Sequence, residues 1–324
     1  MTKVGLVLGA GGVVGHAYHA GTLAALAEAT GWDARTADVI VGTSAGSAVG
    51  ATLRGGVSSP DLFARQMGEP LSDEGRRLYD RVGTPVELAM RPRLGGRVPS
   101  PSSPGYLLRS ALQPWRTRPG LLLAAALPVG QVATEVVGSR VRGFHDLPWP
   151  ERDLWICAVR LDAGTRVVFG RDRSPTPDVA TAVEASSAIP GFFQPVMIDG
   201  VRYVDGGAHS PTNADLLAGR PLDLVVVISS MSAARRALRG GPLPAVVGRA
   251  MHSRNLALEV QKLRRHGSHV VVFQPDADAL ALMGHNAMDF RRREPVARMA
   301  RESALRRLKR PEVMEGLAAV LPSP

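Results

Sequence analysis

Consecutive apolar residues, rather than alternating ones, set the pattern of this chain. Val4–Leu8, Val39–Val41, Leu154–Val159, Leu224–Ile228 and Val270–Phe273 are short runs of this kind. A strand with one wet face alternates apolar and polar residues. A run apolar at nearly every position has both faces covered, as in a parallel sheet held between helices. Helical stretches separate the runs: an alanine-rich segment from His16 to Ala29, a small-residue start at Ser47–Ala51, and further helices near Asp178–Ser187 and over Ala245–Arg265. Residues 1 to 66 thus read strand, helix, strand, helix. Two hairpins are also predicted. One pairs Leu154–Arg160 with Arg166–Gly170 about Asp162–Gly164, and the other turns at Asp199–Gly200 between Pro195–Ile198 and a strand ending at Asp205. The expectation is an α/β fold with a mostly parallel central sheet flanked by helices.

Two stretches depart from this rhythm. Residues 68–150 hold the Gly/Pro/Ser-rich linker Gly95–Gly105 between helical pieces, including the run Leu121–Leu127 near Trp115, Arg116 and Arg118. An insertion at this point could form a helical lid, dock on an interface, or pack on the core. Residues 289–324 alternate arginines with Met, Ala and Leu at helical spacing, with Pro295 as the expected helix start. That basic C-terminal extension reads either as a packed terminal helix or as a surface helix against membrane. The whole chain, 1–324, is expected to be one catalytic domain.

Composition fits a globular chain with many loops: 324 residues, 45% apolar, 5% aromatic, 35 glycines and 25 prolines. The net charge is +10, and only three of the 39 basic residues are lysines. Few aromatics and no recognisable module speak against nucleic-acid binding. A solvated surface or peripheral contact with anionic membrane accounts for the charge. Cys157 is the single cysteine, so no intramolecular disulfide forms and a cytoplasmic location is expected. The run Val4–Ala10 is short for a secretion signal, and no apolar stretch reaches the roughly 20 residues of a membrane-spanning helix.

The candidate chemistry sits where strands run into helices. Val39–Thr43 leads into Gly42–Thr43–Ser44–Ala45–Gly46, a G-x-S-x-G turn that would push the Ser44 hydroxyl out beside a helix N-terminus. After Val4–Leu8 comes Gly9–Ala10–Gly11–Gly12–Val13–Val14–Gly15. As a dinucleotide loop it fails: a G-x-G-x-x-G register from Gly9 needs glycine where Val14 stands, and one from Gly11 needs glycine at Val13 and His16. Its backbone N–H groups at Gly11 and Gly12 suit an oxyanion hole instead. Asp205–Gly206–Gly207 ends the second hairpin, where the aspartate either caps its own turn or approaches a neighbouring loop. A histidine triad would draw on His209 or His252, but only one strand–helix unit precedes Ser44. His16 and His19 fall on the first helix beside the glycine loop. No repeat or metal-ligand cluster is present.

Together and in this order, the glycine loop, the G-x-S-x-G elbow and Asp205–Gly206–Gly207 resemble the patatin-like phospholipase family. So do Ala185–Pro195 and Asn213, and the resemblance runs from about residue 3 to 230 with an interruption in the middle. It implies a three-layer fold and a Ser44–Asp205 dyad that needs no histidine, with Ser44 as nucleophile and Asp205 as base. The oxyanion hole maps to Gly11 and Gly12, and Gly9, Gly15, Gly42, Gly46, Gly206 and Gly207 are the loop and elbow glycines. Lipid esters (phospholipid, lysophospholipid or acylglycerol) become the expected substrates, without cofactor or metal. Two departures stand out: Ala10 replaces the first of three glycines, and Val14 occupies a position that is basic in the family. The second removes a charge that could touch a phosphate. It also supports the alternative of a non-catalytic lipid- or membrane-binding protein, which the intact Ser44, Asp205 and glycines oppose.

Overall fold

Each apolar run forms a strand of a single sheet. β1 (Val4–Leu8), β2 (Val39–Thr43), β3 (Asp153–Arg160), β7 (Leu224–Ile228) and β8 (His269–Phe273) are parallel, in the spatial order β3-β2-β1-β7-β8. β4 (Thr165–Phe169), β5 (Val196–Ile198) and β6 (Val201–Asp205) add an antiparallel end around β3. The computed structural model describes residues 2–82, 101–112, 119–173, 175–234, 237 and 243–318. Most of the predicted linker at 95–105 lies outside these residues, as do Trp115, Arg116 and Arg118.

Alternate side chains along each strand feed two cores. Leu6, Leu8, Ile40, Leu154, Ile156 and Val226 belong to one, while Val7, Val41, Trp155, Val225 and Val227 belong to the other. The first core lies under α1 (Gly12–Thr30), α2 (Ala45–Arg54), α3 (Ser59–Met67) and α4 (Asp73–Asp80). The second is covered further along the chain. On the same face, α5 (Pro104–Leu112) and α6 (Pro119–Ala126) form a separate, smaller cluster by laying Tyr106, Leu121 and Ala125 on Val159 and Val204. α7 (Glu135–Arg142) and α8 (Val179–Ser186) return to the first face, and α9 (Leu243–Arg265) brings Leu256, Val260 and Leu263 to the second. α10 (Ala277–Met283), α11 (Arg293–Leu308) and α12 (Pro311–Ala318) complete the first layer. Burial on both faces is why the strands read as unbroken apolar runs.

The second hairpin turns as the sequence predicts. Asp199 and Gly200 take φ of 48° and 74°, the paired left-handed conformation that matches strand twist in a two-residue turn. Asp178 caps α8 by accepting from the Thr181 N–H at 2.7 Å.

Two expectations are corrected. α1 begins at Gly12 and not His16: the Gly15 N–H already bonds the Gly11 carbonyl at 2.8 Å, and the Val14 N–H of the same first turn is taken by the distant Ala287 carbonyl at 3.0 Å. The arginine-rich tail is two helices, not one, broken before Pro311, which cannot donate an N–H to a continuing helix. Pro295 lies inside the first turn of α11, where a missing N–H costs little. α11 buries Val296, Ala297, Ala300, Ala304 and Leu308, and packs closely on α1 at Gly21.

The register of β3 decides what meets at the site. β2 pairs with Asp153–Cys157 and β6 with Ala158–Arg160, while β4 covers Ile156–Arg160. A strand has two edges, and β4 overlaps both other partners. β2 and β6 therefore share one edge of β3 and meet end to end, Thr43 opposite Cys157 and Asp205 opposite Ala158.

A Cβ at Gly21 would overlap the Ala297 carbonyl oxygen. Gly21→Ala is therefore expected to destabilise the protein by about 1–3 kcal/mol through overpacking. Denaturant unfolding, compared with the parent chain, measures it. An unchanged midpoint would mean that α11 does not bear on α1.

Candidate active site

Ser44 is the first residue past β2 and caps the start of α2. Its backbone has φ 53° and ψ −121°, a conformation that costs a non-glycine residue of order 1–3 kcal/mol. Close packing holds it there. A Cβ at Gly42 would stand 2.5 Å from the Ser47 Cα, and one at Gly46 would overlap the Leu8 carbonyl oxygen. The two glycines of the motif are thus set by contact with α2 and β1. The Ser44 carbonyl accepts from the Ser47 hydroxyl at 2.6 Å and the Ser47 N–H at 2.9 Å. The Ser44 N–H donates to Ser186 Oγ at 2.9 Å, and the Ser186 hydroxyl donates to the Cys157 carbonyl at 2.7 Å. Ser186 therefore fastens the elbow to β3. Nothing in the local sequence signals this role.

Asp205 comes from the facing strand end. The buried carboxylate accepts from the Ser44 hydroxyl and from the Gly207 N–H, the latter at 2.7 Å. Burial raises its pKa from 3.8 to about 6, against the opposing pull of those two donors. Gly206 has no room for a Cβ beside the Cys157 carbonyl. The loop beyond is tied to the elbow by Asn213, at φ 51°, whose Nδ2 donates to Thr43 Oγ1 at 3.1 Å. Behind it the buried carboxylate of Glu259 accepts from Ser210 Oγ, Thr212 Oγ1 and the Ala214 N–H. Arg166 pairs with Asp215 at 2.7 Å on the same loop.

The glycine loop lies against Ser230 and the 287–288 segment. A Cβ at Gly11 would overlap Ser230 Oγ, and one at Gly12 would stand 2.7 Å from the Ala287 carbonyl oxygen. The N–H groups of Gly9, Ala10, Val14 and Gly15 bond the carbonyls of Ile228, Pro211, Ala287 and Gly11. Those of Gly11, Gly12 and Val13 have no acceptor among the described residues. Gly12 and Val13, though not Gly11, line a cavity of about 620 Å³ together with Ser44. Val14 is buried in the main core under α1, so position 14 faces away from the cavity. Its departure from a basic residue is a matter of packing here, and it takes no charge out of the cavity.

Apolar walls come from Ala48, Val137, Val141, Phe144, Ile189 and Phe193, polar ones from His16, Arg65, Gln66, Tyr79, Arg140 and Arg293. Burial lowers the His16 pKa to about 3, helped by the charges of Arg140 and Arg293, so this ring is neutral. His19 anchors the loop: its Nε2 bonds the Gly9 carbonyl at 2.7 Å, and since a carbonyl only accepts, that nitrogen carries the proton. Neither His209 nor His252 lines the cavity. The walls supplied by α3, α4 and α7 had no sequence signal, because nothing local shows which way a helix from 59–142 faces. The Cys157 thiol is fully buried, with its pKa pushed up to about 12. Among the described residues no helix is long and apolar enough to cross a membrane.

The family model described as patatin-like phospholipase matches residues 6–218. Among solved structures, VipD from Legionella pneumophila is 13% identical with a TM-score of 0.41, over 98% of this chain and 67% of that one. The type III effector ExoU is 16% identical with a TM-score of 0.36, over 94% and 53%. Human GIVD cytosolic phospholipase A2, in complex with methyl γ-linolenyl fluorophosphonate, is 13% identical with a TM-score of 0.33, over 98% and 59%. The chain thus spans between about half and two thirds of these proteins. No curated protein matches it in sequence.

Two outcomes follow from this geometry. Ser186→Ala strips a buried N–H and a buried carbonyl of their shared partner and should cost about 1–3 kcal/mol in denaturant unfolding; no loss would deny the fastening role. For Asp205 the folded pKa lies above the unfolded one, so the native state favours the protonated form. The parent chain therefore loses stability as pH rises from 3.8 through about 6. Asp205→Asn should be the more stable protein at pH 8, by at most about 3 kcal/mol, with the difference vanishing below pH 4. Thermal unfolding across that range reads it, and a pH-independent difference would contradict the raised pKa.

Proposed function

The chain belongs to the patatin-like phospholipase family, whose members are lipid acyl hydrolases, and we propose that it cleaves carboxylic esters of lipids through Ser44 and Asp205. The observation that carries the reading is the pairing at the strand ends: a strained serine whose hydroxyl bonds a buried carboxylate of raised pKa. An ordinary carboxylate is too weak a base for a serine hydroxyl; one held near 6 by burial is closer to the task.

Asp205 takes the hydroxyl proton as Ser44 Oγ adds to the ester carbonyl. The oxyanion that forms is met by the unpaired N–H groups of the glycine loop, Gly11, Gly12 and Val13, the last two lining the cavity together with Ser44. On collapse the alcohol leaves with the proton from Asp205, and the acyl group stays on Ser44. Water then gives a proton to Asp205 and its oxygen to the acyl carbon, and the acid departs as the proton returns to Ser44. The apolar wall from Ala48 to Phe193 suits an acyl chain. α4 and α7, both from the 68–150 insertion, form part of its cover. Phospholipids, lysophospholipids and acylglycerols are the candidate esters, met at the membrane surface.

The test is hydrolysis of a short-chain chromogenic ester and a fluorogenic phospholipid, with fluorophosphonate labelling of the serine. Ser44→Ala and Asp205→Asn should each lower kcat/KM by about 10³-fold or more, whereas His209→Ala retains activity. Because the base must be ionised, kcat/KM should fall with decreasing pH below about 6. Loss on His209→Ala in a folded protein would replace the dyad with a triad. An unlabelled serine and no hydrolysis would favour a lipid-binding protein.

A further inference from the structure

The acyl-chain reading uses only the apolar part of the cavity. Its polar part carries three arginines and a neutral histidine, and among the described residues no aspartate or glutamate lines it. Arg65 on α3 and Arg140 on α7 flank the Tyr79 ring of α4, with their guanidinium carbons 5.4 and 6.0 Å from its centroid. Tyr79 is itself fixed edge-to-face on Phe144 at 5.3 Å. Neither arginine has an ion-pair partner or a hydrogen-bond acceptor among the described residues. Arg65 is exposed at the mouth, and Arg140 is half-buried within.

Many of the described arginines behave otherwise. Arg35, Arg142, Arg166, Arg220 and Arg301, for example, are each paired with a carboxylate. Arg140, half-buried and without a carboxylate partner, is costly to keep charged unless an anion completes it, and Arg65 on the same ring adds a second, exposed positive charge. Their forked donors match the oxygens of phosphate or carboxylate.

We propose that Arg65 and Arg140, spaced by Tyr79, form an anion subsite in the cavity that selects esters bearing a phosphate or carboxylate group over neutral ones. This rests on the hydrolase reading for its meaning as substrate selection, though anion binding can be tested without it. The subsite draws on α3 and α7, outside the glycine loop, and so supplies charge recognition that position 14, buried in the core, does not.

The experiment is calorimetric titration of the full chain with octyl phosphate, octanoate, inorganic phosphate and neutral 1,2-octanediol at constant ionic strength. The titration is repeated on Arg65→Gln, Arg140→Gln and Arg140→Lys. Octyl phosphate or octanoate should bind at least about tenfold tighter than the diol, and each glutamine variant should lose about tenfold. The lysine variant, which keeps charge but not the fork, should fall between, and circular dichroism checks that each is folded. Octyl phosphate should also protect Ser44 from a fluorophosphonate, which places the anion in the same cavity. Inorganic phosphate binding as tightly as octyl phosphate would support the subsite with a free anion as its occupant. Equal affinity for anion and diol, or anion binding indifferent to both glutamine substitutions, would overturn it. Anion binding without any ester hydrolysis would leave the subsite standing and remove the hydrolase. Hydrolysis with indifferent anion binding would do the reverse.

Discussion

One edge of β3 is the constraint on which the site depends. At Cys157 the ladder partner changes from β2, arriving parallel, to β6, arriving antiparallel, and the two strands run into each other from opposite directions. The residue past the end of one is Ser44, and the last residue of the other is Asp205. Their meeting is therefore a matter of backbone register, fixed by ladder hydrogen bonds on both sides, and owes little to flexible loops. A one-residue slip of either strand would separate the pair and also turn a buried face outward, so the core enforces the same register as the site.

The Cys157 carbonyl serves as the hub of this junction. It accepts from Ser186, which in turn accepts from the Ser44 N–H, and it leaves Gly206 no room for a side chain. Strain is concentrated on the same spot: Ser44 and Asn213, both at positive φ, stand on either side of the Thr43–Asn213 bond. Each conformation is unfavourable alone and is held by neighbours that are rigid for other reasons, namely β1, α2 and the buried Glu259 cluster. The proposed catalytic groups, strained backbone and unpaired N–H donors all gather at the carboxyl ends of β1 and β2, where parallel strands leave a crevice.

How much of this could be read beforehand follows from range. The strands, both hairpins, the elbow and the Asp-Gly-Gly turn are local patterns of period or turn chemistry, and they stand within a few residues of where the sequence put them. α1 starts earlier than predicted because its first turn is bought by a distant contact, the Ala287 carbonyl bonded to the Val14 N–H, which no local pattern reveals. The tethering roles of Ser186, Glu259 and His19 had no local signal for a similar reason. Each is an ordinary polar residue on a helix until the partner across 10 to 142 positions is known. Val14 misled in the other direction. A family position that is basic suggested a lost charge, whereas here that side chain belongs to the core.

That substitution bears on how a raised base and a positive cavity can coexist. A cation near Asp205 would stabilise its ionised form and lower the pKa that burial raises. Arg140 and Arg293 act on His16, yet the influences on Asp205 are burial, the Ser44 hydroxyl and the Gly207 N–H, with no arginine among them. The charge lies on α3, α7 and the start of α11, elements other than those that carry Ser44 and Asp205. An apolar residue at position 14 keeps the glycine loop itself uncharged. The two requirements, a dry carboxylate poised to accept a proton and a cationic wall able to attract an anion, are met because they are assigned to different parts of the chain: the base to the sheet, the charge to the helices around it.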